Sequence, residues 1–203
     1  MKRAPLLAAL LLVLSVVPVR AVYVERMVVI GDSITACCWA RGATWPTTVS
    51  GDLPQITLVA NAGVRGNKTA DMLARLPLVL SEHHPDVVII LGGTNDDMHN
   101  TGRANAMANL RAMVDLVKAS GAVPILMTLP PNPHGVTQWN ADITALATDE
   151  GIPLVDIWAV LGTSGTQWLP GMTDDVLHPS TPAGQAAIVG AIKPVLNALY
   201  PLG

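Results

Sequence analysis

The sequence predicts one α/β domain, a three-layer α/β/α sandwich around a parallel sheet of about five strands. Short, nearly continuous apolar runs recur along the chain, as expected of strands that helices cover on both faces. Segments with the helical spacing of apolar residues separate these runs, and such alternation is typical of parallel sheets. The length of 203 residues, 50% of them hydrophobic, suits one domain with a sizeable core.

Five apolar runs are the predicted strands. They are Arg26–Ile30, Ile56–Ala60, Val87–Leu91, Val123–Met127 and Pro153–Asp156. Thr69 is predicted to cap a helix over residues 70–82, which Pro77 should kink or interrupt.

Three more helices are predicted from periodicity and end signals. Residues 103–120 carry apolar side chains at helical spacing, and the glycine at 121 should end that helix. A helix over residues 137–150 should end at the glycine that follows it. Thr181 and Pro182 are predicted to be the N-cap and first-turn proline of the last helix, to about Leu199.

The N-terminus has the pattern of a secretory signal peptide. A basic start precedes an uncharged, Leu-rich stretch over residues 4–19, and a small-x-small cleavage motif ends at Ala21. That stretch is short for a membrane span, which needs about 20 residues, although an uncut membrane tether is the alternative. We therefore expect residues 1–21 to be cleaved, leaving a secreted or periplasmic domain over residues 22–203 without stable membrane insertion.

Charge and cysteine usage exclude several classes of function. The formal net charge is −3, and no cluster of Lys or Arg follows the N-terminal segment, so no nucleic acid partner is expected. Cys37 and Cys38 are adjacent, and α-carbons about 3.8 Å apart are too close for an unstrained disulfide. We expect two small apolar side chains, with an intermolecular bond as the alternative. The sequence leaves the oligomeric state open.

Polar segments follow the first three predicted strands, at the edge where parallel α/β sheets bind ligands. Ser33 is in the first of them. A serine hydroxyl becomes a nucleophile only when a base takes its proton, usually a histidine oriented by a carboxylate. Among five histidines, His178 has Asp175 three residues before it, a spacing at which the two side chains can meet. His83 and His84 precede a strand and are expected at the opposite edge of the sheet. The alternative for the segment 173–181, which contains Asp175 and His178, is that its polar residues only form a turn and a helix cap.

Three further residues are candidates for contacts with a substrate. Gly66 follows the second strand and would offer a backbone N–H to a developing oxyanion, and Asn95 after the third would offer its amide. Each alone is equally typical of a turn. Trp39, close after Ser33, would line the bottom of an acyl pocket or stack on a sugar. Packing in the core is the alternative.

Four segments in this order resemble the sequence blocks of the SGNH (GDSL-type) serine hydrolase family. They are GDSIT at 31–35, NAGVRG at 61–66, GGTND at 92–96 and DVLH at 175–178. The resemblance implies a flavodoxin-like SGNH hydrolase fold with Ser33 as nucleophile and Asp175 and His178 completing a catalytic triad. It also implies an oxyanion hole made by the N–H groups of Ser33 and Gly66 and the side chain of Asn95.

The resemblance further implies an exported esterase that forms an acyl-enzyme on Ser33 and needs no metal or cofactor. Its substrate would be a small-molecule ester or thioester, as for a short-chain esterase, lysophospholipase or thioesterase. A polysaccharide substrate, as for a carbohydrate O-acetylesterase, is the alternative. A hypothesis from another class is a non-catalytic secreted glycan-binding protein on the same scaffold. The G-x-S-x-G elbow of the α/β-hydrolases is not matched, because Thr35 stands where its second glycine would be.

Overall fold

The computed structural model describes residues 23–37 and 42–202. The expected signal peptide, Cys38 and Trp39 lie outside these residues. The elements in chain order are β1 (Glu25–Gly31), α1 (Ser33–Ala36), α2 (Trp45–Asp52), β2 (Ile56–Gly63), α3 (Thr69–His83), β3 (Val87–Leu91), α4 (Thr94–Met98), α5 (Arg103–Ala119), β4 (Val123–Met127), α6 (Thr137–Glu150), β5 (Leu154–Val155), α7 (Trp158–Leu161) and α8 (Ala183–Leu199).

The five strands form one parallel sheet in the order β2-β1-β3-β4-β5. The chain runs from β1 to β2 on one side and then returns to place β3 on the other side of β1. This reversal of strand order opens a crevice at the carboxyl end of β1, which is where doubly wound sheets bind ligands. The order confirms the predicted parallel α/β fold.

Helices pack on the sheet in two groups. On one side α3 contacts α5 and α5 contacts α6, and in the other group α2 and α7 both contact α8. All five residues of β3 are buried between these layers, as the continuous apolar run predicts. The three-layer sandwich is therefore confirmed.

Three strands differ in length from their predictions. β1 is one residue longer at each end and covers Glu25–Gly31. β2 continues to Gly63 rather than ending at Ala60, because it pairs with β1 up to the match of Gly31 with Gly63. The sequence does not indicate this extension, because polar Asn61 ends the apolar run from which the strand was predicted. β5 contains only Leu154 and Val155, and it pairs with β4 alone, as an edge strand does.

The prediction for α3 was wrong in two details. Its N-cap is Lys68, and Thr69 is already the first helical residue. Pro77 does not interrupt the helix, which is continuous to His83. Although proline removes one backbone hydrogen bond, the buried face that includes Leu76 and Leu80 holds the helix against the core.

The start of α8 is one residue later than predicted, with Pro182 as N-cap and Ala183 as the first helical residue. Ser180 replaces the expected cap, because its hydroxyl accepts the N–H of Gly184 at 3.2 Å. In the described part of the chain, no helix has the length and apolar character that a membrane span requires.

Candidate active site

The turn that carries Ser33 is built at the end of β1. Asp32 Oδ1 accepts the N–H of Ile34 at 2.8 Å and fixes the entry into α1. A Cβ at Gly31 would lie 2.1 Å from the Thr35 hydroxyl oxygen and 2.7 Å from the Leu91 carbonyl oxygen. Only glycine therefore lets the turn pack this closely on β3, and Ser33 follows it half-buried.

The structure brings Ser33, His178 and Asp175 together. The Ser33 Oγ lies 3.0 Å from His178 Nε2, although the two residues are 145 positions apart. On the other side of the ring, His178 Nδ1 lies 2.7 Å from Asp175 Oδ2. The imidazole is 20% exposed and the Asp175 carboxylate 52% exposed. The order hydroxyl, imidazole, carboxylate is the arrangement in which a histidine can take a serine proton.

The spacing of Asp175 and His178 is fixed by the turn that contains them. Asp175 Oδ1 accepts the N–H groups of Leu177 at 3.0 Å and His178 at 2.7 Å, so the carboxylate holds the backbone as well as the ring. Partial burial acts to raise the pKa of Asp175, but hydrogen bonds from the His178 ring and these N–H groups outweigh it and lower the pKa. Asp175 is therefore held as a carboxylate beside the imidazole.

Trp168 supports the same turn, a role that the sequence pattern did not indicate. Between Asp175 and His178, Val176 has φ +64, a left-handed conformation that is costly for a β-branched residue. The Trp168 indole N–H donates to the Val176 carbonyl at 3.1 Å and holds this conformation. Val176 as a whole is 60% exposed, so packing of the residue in the core does not hold this conformation.

The two predicted oxyanion donors lie beside the Ser33 turn. Gly66 has φ +74, which favours glycine. Within residues 23–37 and 42–202, the N–H groups of Ser33 and Gly66 have no hydrogen-bond acceptor. Asn95 Nδ2 donates to Asp32 Oδ2 at 3.2 Å and to the Asn67 carbonyl at 3.0 Å. These bonds use both amide hydrogens, so Asn95 must share or exchange one of them to reach an oxyanion.

Arg75 links the segments that carry these donors. Its Nε donates to Asn67 Oδ1 at 2.8 Å and its Nη2 to the Gly31 carbonyl at 3.0 Å. Burial lowers the pKa of the guanidinium, partly offset by the charge of Asp71. Sequence periodicity places Arg75 on a helix and gives no sign that it reaches the end of β1.

Asp32 is a buried carboxyl directly before Ser33. It is 1% exposed, and burial raises its pKa to about 7, against hydrogen bonds from the backbone and together with the nearby charge of Asp96. Asp96 is itself bonded to the N–H and hydroxyl of Thr69, at 2.9 and 2.8 Å. The sequence motif places both carboxyls near the site but does not show their burial.

The sequence model of the GDSL-like lipase/acylhydrolase family matches residues 29–187, a range that contains all four segments and every residue of the described site. The chain belongs to this family. This GDSL-family protein is therefore an ester-bond hydrolase, and the resemblance to SGNH hydrolases is confirmed.

Curated relatives and solved structures agree with the family assignment. The hydrolase is 29% identical over 169 residues to "Thioesterase 1/protease 1/lysophospholipase L1" of Escherichia coli K12, covering 81% of this chain and 80% of the relative. It is 31% identical over 183 residues to "Esterase TesA" of Pseudomonas aeruginosa, covering 86% and 89%. A crystal structure of TesA superposes with a TM-score of 0.75 at 27% identity, over 86% of this chain and 99% of that chain.

Proposed function

We propose that this hydrolase cleaves carboxylic ester or thioester bonds through an acyl-enzyme on Ser33. The observation that supports the proposal is the bonded series from Ser33 through His178 to Asp175, with distances of 3.0 and 2.7 Å. His178 Nε2 takes the Ser33 proton while Oγ attacks the carbonyl carbon. The carbonyl π electrons move to oxygen, and a tetrahedral oxyanion forms.

Collapse of this intermediate completes acylation. The carbon–oxygen or carbon–sulfur bond breaks, and His178 gives its proton to the leaving alcohol or thiol. Water then attacks the acyl-enzyme with His178 as base, and the acid product leaves Ser33 as a hydroxyl again. Asp175 keeps one ring nitrogen protonated and stabilises the imidazolium in both halves.

The oxyanion is proposed to bind in front of Ser33. Its donors are the backbone N–H groups of Ser33 and Gly66 and the side chain of Asn95. The unpaired state of the two backbone donors in the described chain supports this assignment.

A substrate panel tests the proposal and its alternatives. We expect hydrolysis of acetyl, butyryl and octanoyl p-nitrophenyl esters, an acyl-thioester and a lysophospholipid, with the Ser33→Ala variant inactive on each. Hydrolysis of acetylated xylan in preference to all of them would favour the carbohydrate O-acetylesterase. Glycan binding without turnover of any substrate would contradict the proposal and favour the binding protein.

We further propose that the protein is exported and that residues 1–21 are removed. The proposal rests on the basic start, the apolar stretch over residues 4–19 and the small-x-small motif ending at Ala21. N-terminal sequencing of secreted or periplasmic protein should begin at Val22. An intact N-terminus recovered with the membrane fraction would instead identify the tethered form.

A further inference from the structure

The Asn95 amide is held between two other segments of the candidate site. Its Nδ2 donates to Asp32 Oδ2 at 3.2 Å, in the turn of the nucleophile. It also donates to the Asn67 carbonyl at 3.0 Å, in the loop that carries Gly66. An amide turned around would set its own oxygen against both of these oxygens. The two acceptors therefore fix the side on which the N–H groups of Asn95 lie.

Asp32 supplies more acceptors than its turn needs. Its Oδ1 accepts the Ile34 N–H at 2.8 Å and thereby caps α1. Asparagine or serine caps a helix about as well with one oxygen and without a charge. Asp32 is 1% exposed, and burial raises its pKa to about 7, so a carboxyl here costs free energy that an uncharged cap would not. The second oxygen points to a further role, and its partner is Asn95.

The Asn67 carbonyl alone does not fix the plane of the Asn95 amide. The terminal torsion of an asparagine side chain is broad, so one hydrogen bond leaves the plane free to tilt. The second bond, to Asp32, sets the plane before a substrate arrives. Donors that are already oriented need no reorganisation when an oxyanion forms.

The bond to Asp32 is also the one that an oxyanion can share. At 3.2 Å it is longer than the 3.0 Å bond to the Asn67 carbonyl. One N–H can serve two acceptors in a three-centre hydrogen bond. Asn95 can thus donate to an oxyanion in front of Ser33 while its other hydrogen keeps the bond to Asn67.

We propose that Asp32 is a positioning residue for the oxyanion hole, in which its Oδ2 orients the Asn95 amide toward the oxyanion that forms at Ser33. This role rests on the proposed acyl transfer and adds a residue to it. Asp32 does not touch the substrate, because its effect passes through Asn95. The site then contains two aspartates with separate tasks, since Asp175 orients His178 and Asp32 orients Asn95.

A double-mutant cycle on kcat tests whether Asp32 acts through Asn95. The variants are D32N, N95A and D32N/N95A, measured with p-nitrophenyl butyrate at a single pH. Asparagine at position 32 has the size of aspartate but only one acceptor oxygen. It therefore cannot serve both the Ile34 N–H and the Asn95 amide.

The expected result is an effect of D32N that depends on Asn95. N95A should lower kcat by about 10²–10³-fold, and D32N by about tenfold or more with little change in KM. In the N95A background, D32N should lower kcat by about twofold or less, because the amide that it disturbs is absent. An equal fall of kcat in both backgrounds would overturn the proposed role, since Asp32 would then act on the Ser33 turn itself.

The D32S variant separates the cap of α1 from the contact with Asn95. A serine hydroxyl can still accept the Ile34 N–H, but it has no second oxygen for the amide. D32S should therefore repeat the kinetic result of D32N, and it carries the cycle if D32N does not fold. Wild-type kcat in D32S would show that the cap alone matters.

Asp156 offers a matched control at the end of β5, three strands from β1. It lies at the start of α7, where its Oδ1 accepts the Ala159 N–H at 3.1 Å and the Thr128 hydroxyl at 2.9 Å. D156N makes the same chemical change there and should keep kcat within about twofold of the wild type. A loss as large as that of D32N would overturn the specific role of Asp32.

The outcomes separate this role from the proposed function. A wild type that hydrolyses the ester, with D32N and D32S at the same kcat, would overturn the role of Asp32 alone. A wild type that is inactive on every ester and thioester of the substrate panel would overturn the proposed acyl transfer, and the role of Asp32 with it.

Discussion

The two edges of the sheet each hold a serine, a histidine and an aspartate, yet only one edge brings them into a bonded series. At the amino edge, Ser81, His84 and Asp86 line a cavity of about 470 Å³. There the Ser81 hydroxyl donates to the Leu78 carbonyl at 2.9 Å, and Asp86 Oδ2 accepts the backbone N–H of Arg26 at 2.8 Å. At the carboxyl edge, the hydroxyl of Ser33 meets the ring of His178, which meets Asp175.

The comparison teaches that residue types and a cavity do not make a hydrolytic site. At the amino edge, the hydroxyl and the carboxylate satisfy the backbone and stabilise the α3–β3 connection. At the carboxyl edge, Asp175 also accepts two backbone N–H groups, but only through Oδ1, so its Oδ2 is left for the His178 ring. The Ser33 hydroxyl bonds the other nitrogen of that ring. The following predictions test that difference, beginning with the largest expected effect.

Replacing the serine at each edge should give opposite results. Ser33→Ala should lower kcat by about 10⁴–10⁶-fold, because the nucleophile is lost. Ser81→Ala should leave kcat and KM unchanged, since its hydroxyl bonds a carbonyl of its own helix. Steady-state hydrolysis of p-nitrophenyl butyrate measures both, and substantial loss in Ser81→Ala would contradict the comparison.

The carboxylates should separate activity from stability. Asp175→Asn should lower kcat by about 10³–10⁴-fold with little change in Tm, because the histidine loses its orienting charge. Asp86→Ala should keep kcat but lower the free energy of unfolding by about 1 kcal/mol, through the lost acceptor for Arg26. Kinetics, thermal unfolding and urea unfolding on both variants check this. A large fall in the Tm of Asp175→Asn would point to a structural role for this carboxylate.

Asn95 should contribute to the transition state at the carboxyl edge. Asn95→Ala should lower kcat by about 10²–10³-fold with a smaller change in KM, as expected when one oxyanion donor is removed. Asn105→Ala is a matched control, because that amide bonds the Thr101 carbonyl on an exposed surface. A rise in KM with unchanged kcat would assign Asn95 to ground-state binding instead.

The buried Asp32 predicts a smaller effect, on the pH dependence of stability. Burial raises its folded pKa to about 7, whereas the ordinary pKa of an aspartate, which applies in the unfolded chain, is 3.8. Between these values the folded state holds a proton that the unfolded state releases, so this group's contribution to stability is largest at low pH and declines as pH rises toward 7. Asp32→Asn should remove that decline, as measured by urea unfolding from pH 4 to pH 8. An unchanged slope would show that Asp32 is ionised in the folded state throughout.

Local patterns in the sequence predicted most of the sheet but fewer of the element ends. The apolar runs that form β3 and β4 are buried strands with the predicted bounds. A continuous apolar run is stable as a strand when helices cover both of its faces. The extension of β2 to Gly63 and the shift of α8 to Ala183 depend on pairing with β1 and on the Ser180 hydroxyl. Tertiary partners of this kind leave no periodic signal. Helix α2 was not among the predicted helices, although Thr44 before a first-turn proline is a local signal for a helix start.

The candidate site divides in the same way. Ser33, Asp175 and His178 could be predicted because each lies in a short motif at a strand end or before a helix. Arg75 and Trp168 could not, because the guanidinium crosses from α3 to the end of β1 and the indole bonds a carbonyl eight residues away. Their roles depend on three-dimensional contact rather than on spacing.

A fluorophosphonate probe tests the central claim, an activated hydroxyl at the carboxyl edge, most directly. Trypsin should release Ser33 in peptide 27–41 and Ser81 in peptide 76–103, so mass spectrometry can assign the adduct. We predict one adduct, on Ser33, that is absent from Ser33→Ala and greatly slowed in a His178→Ala variant. An adduct on Ser81, or an active enzyme that stays unlabelled at Ser33, would contradict the account.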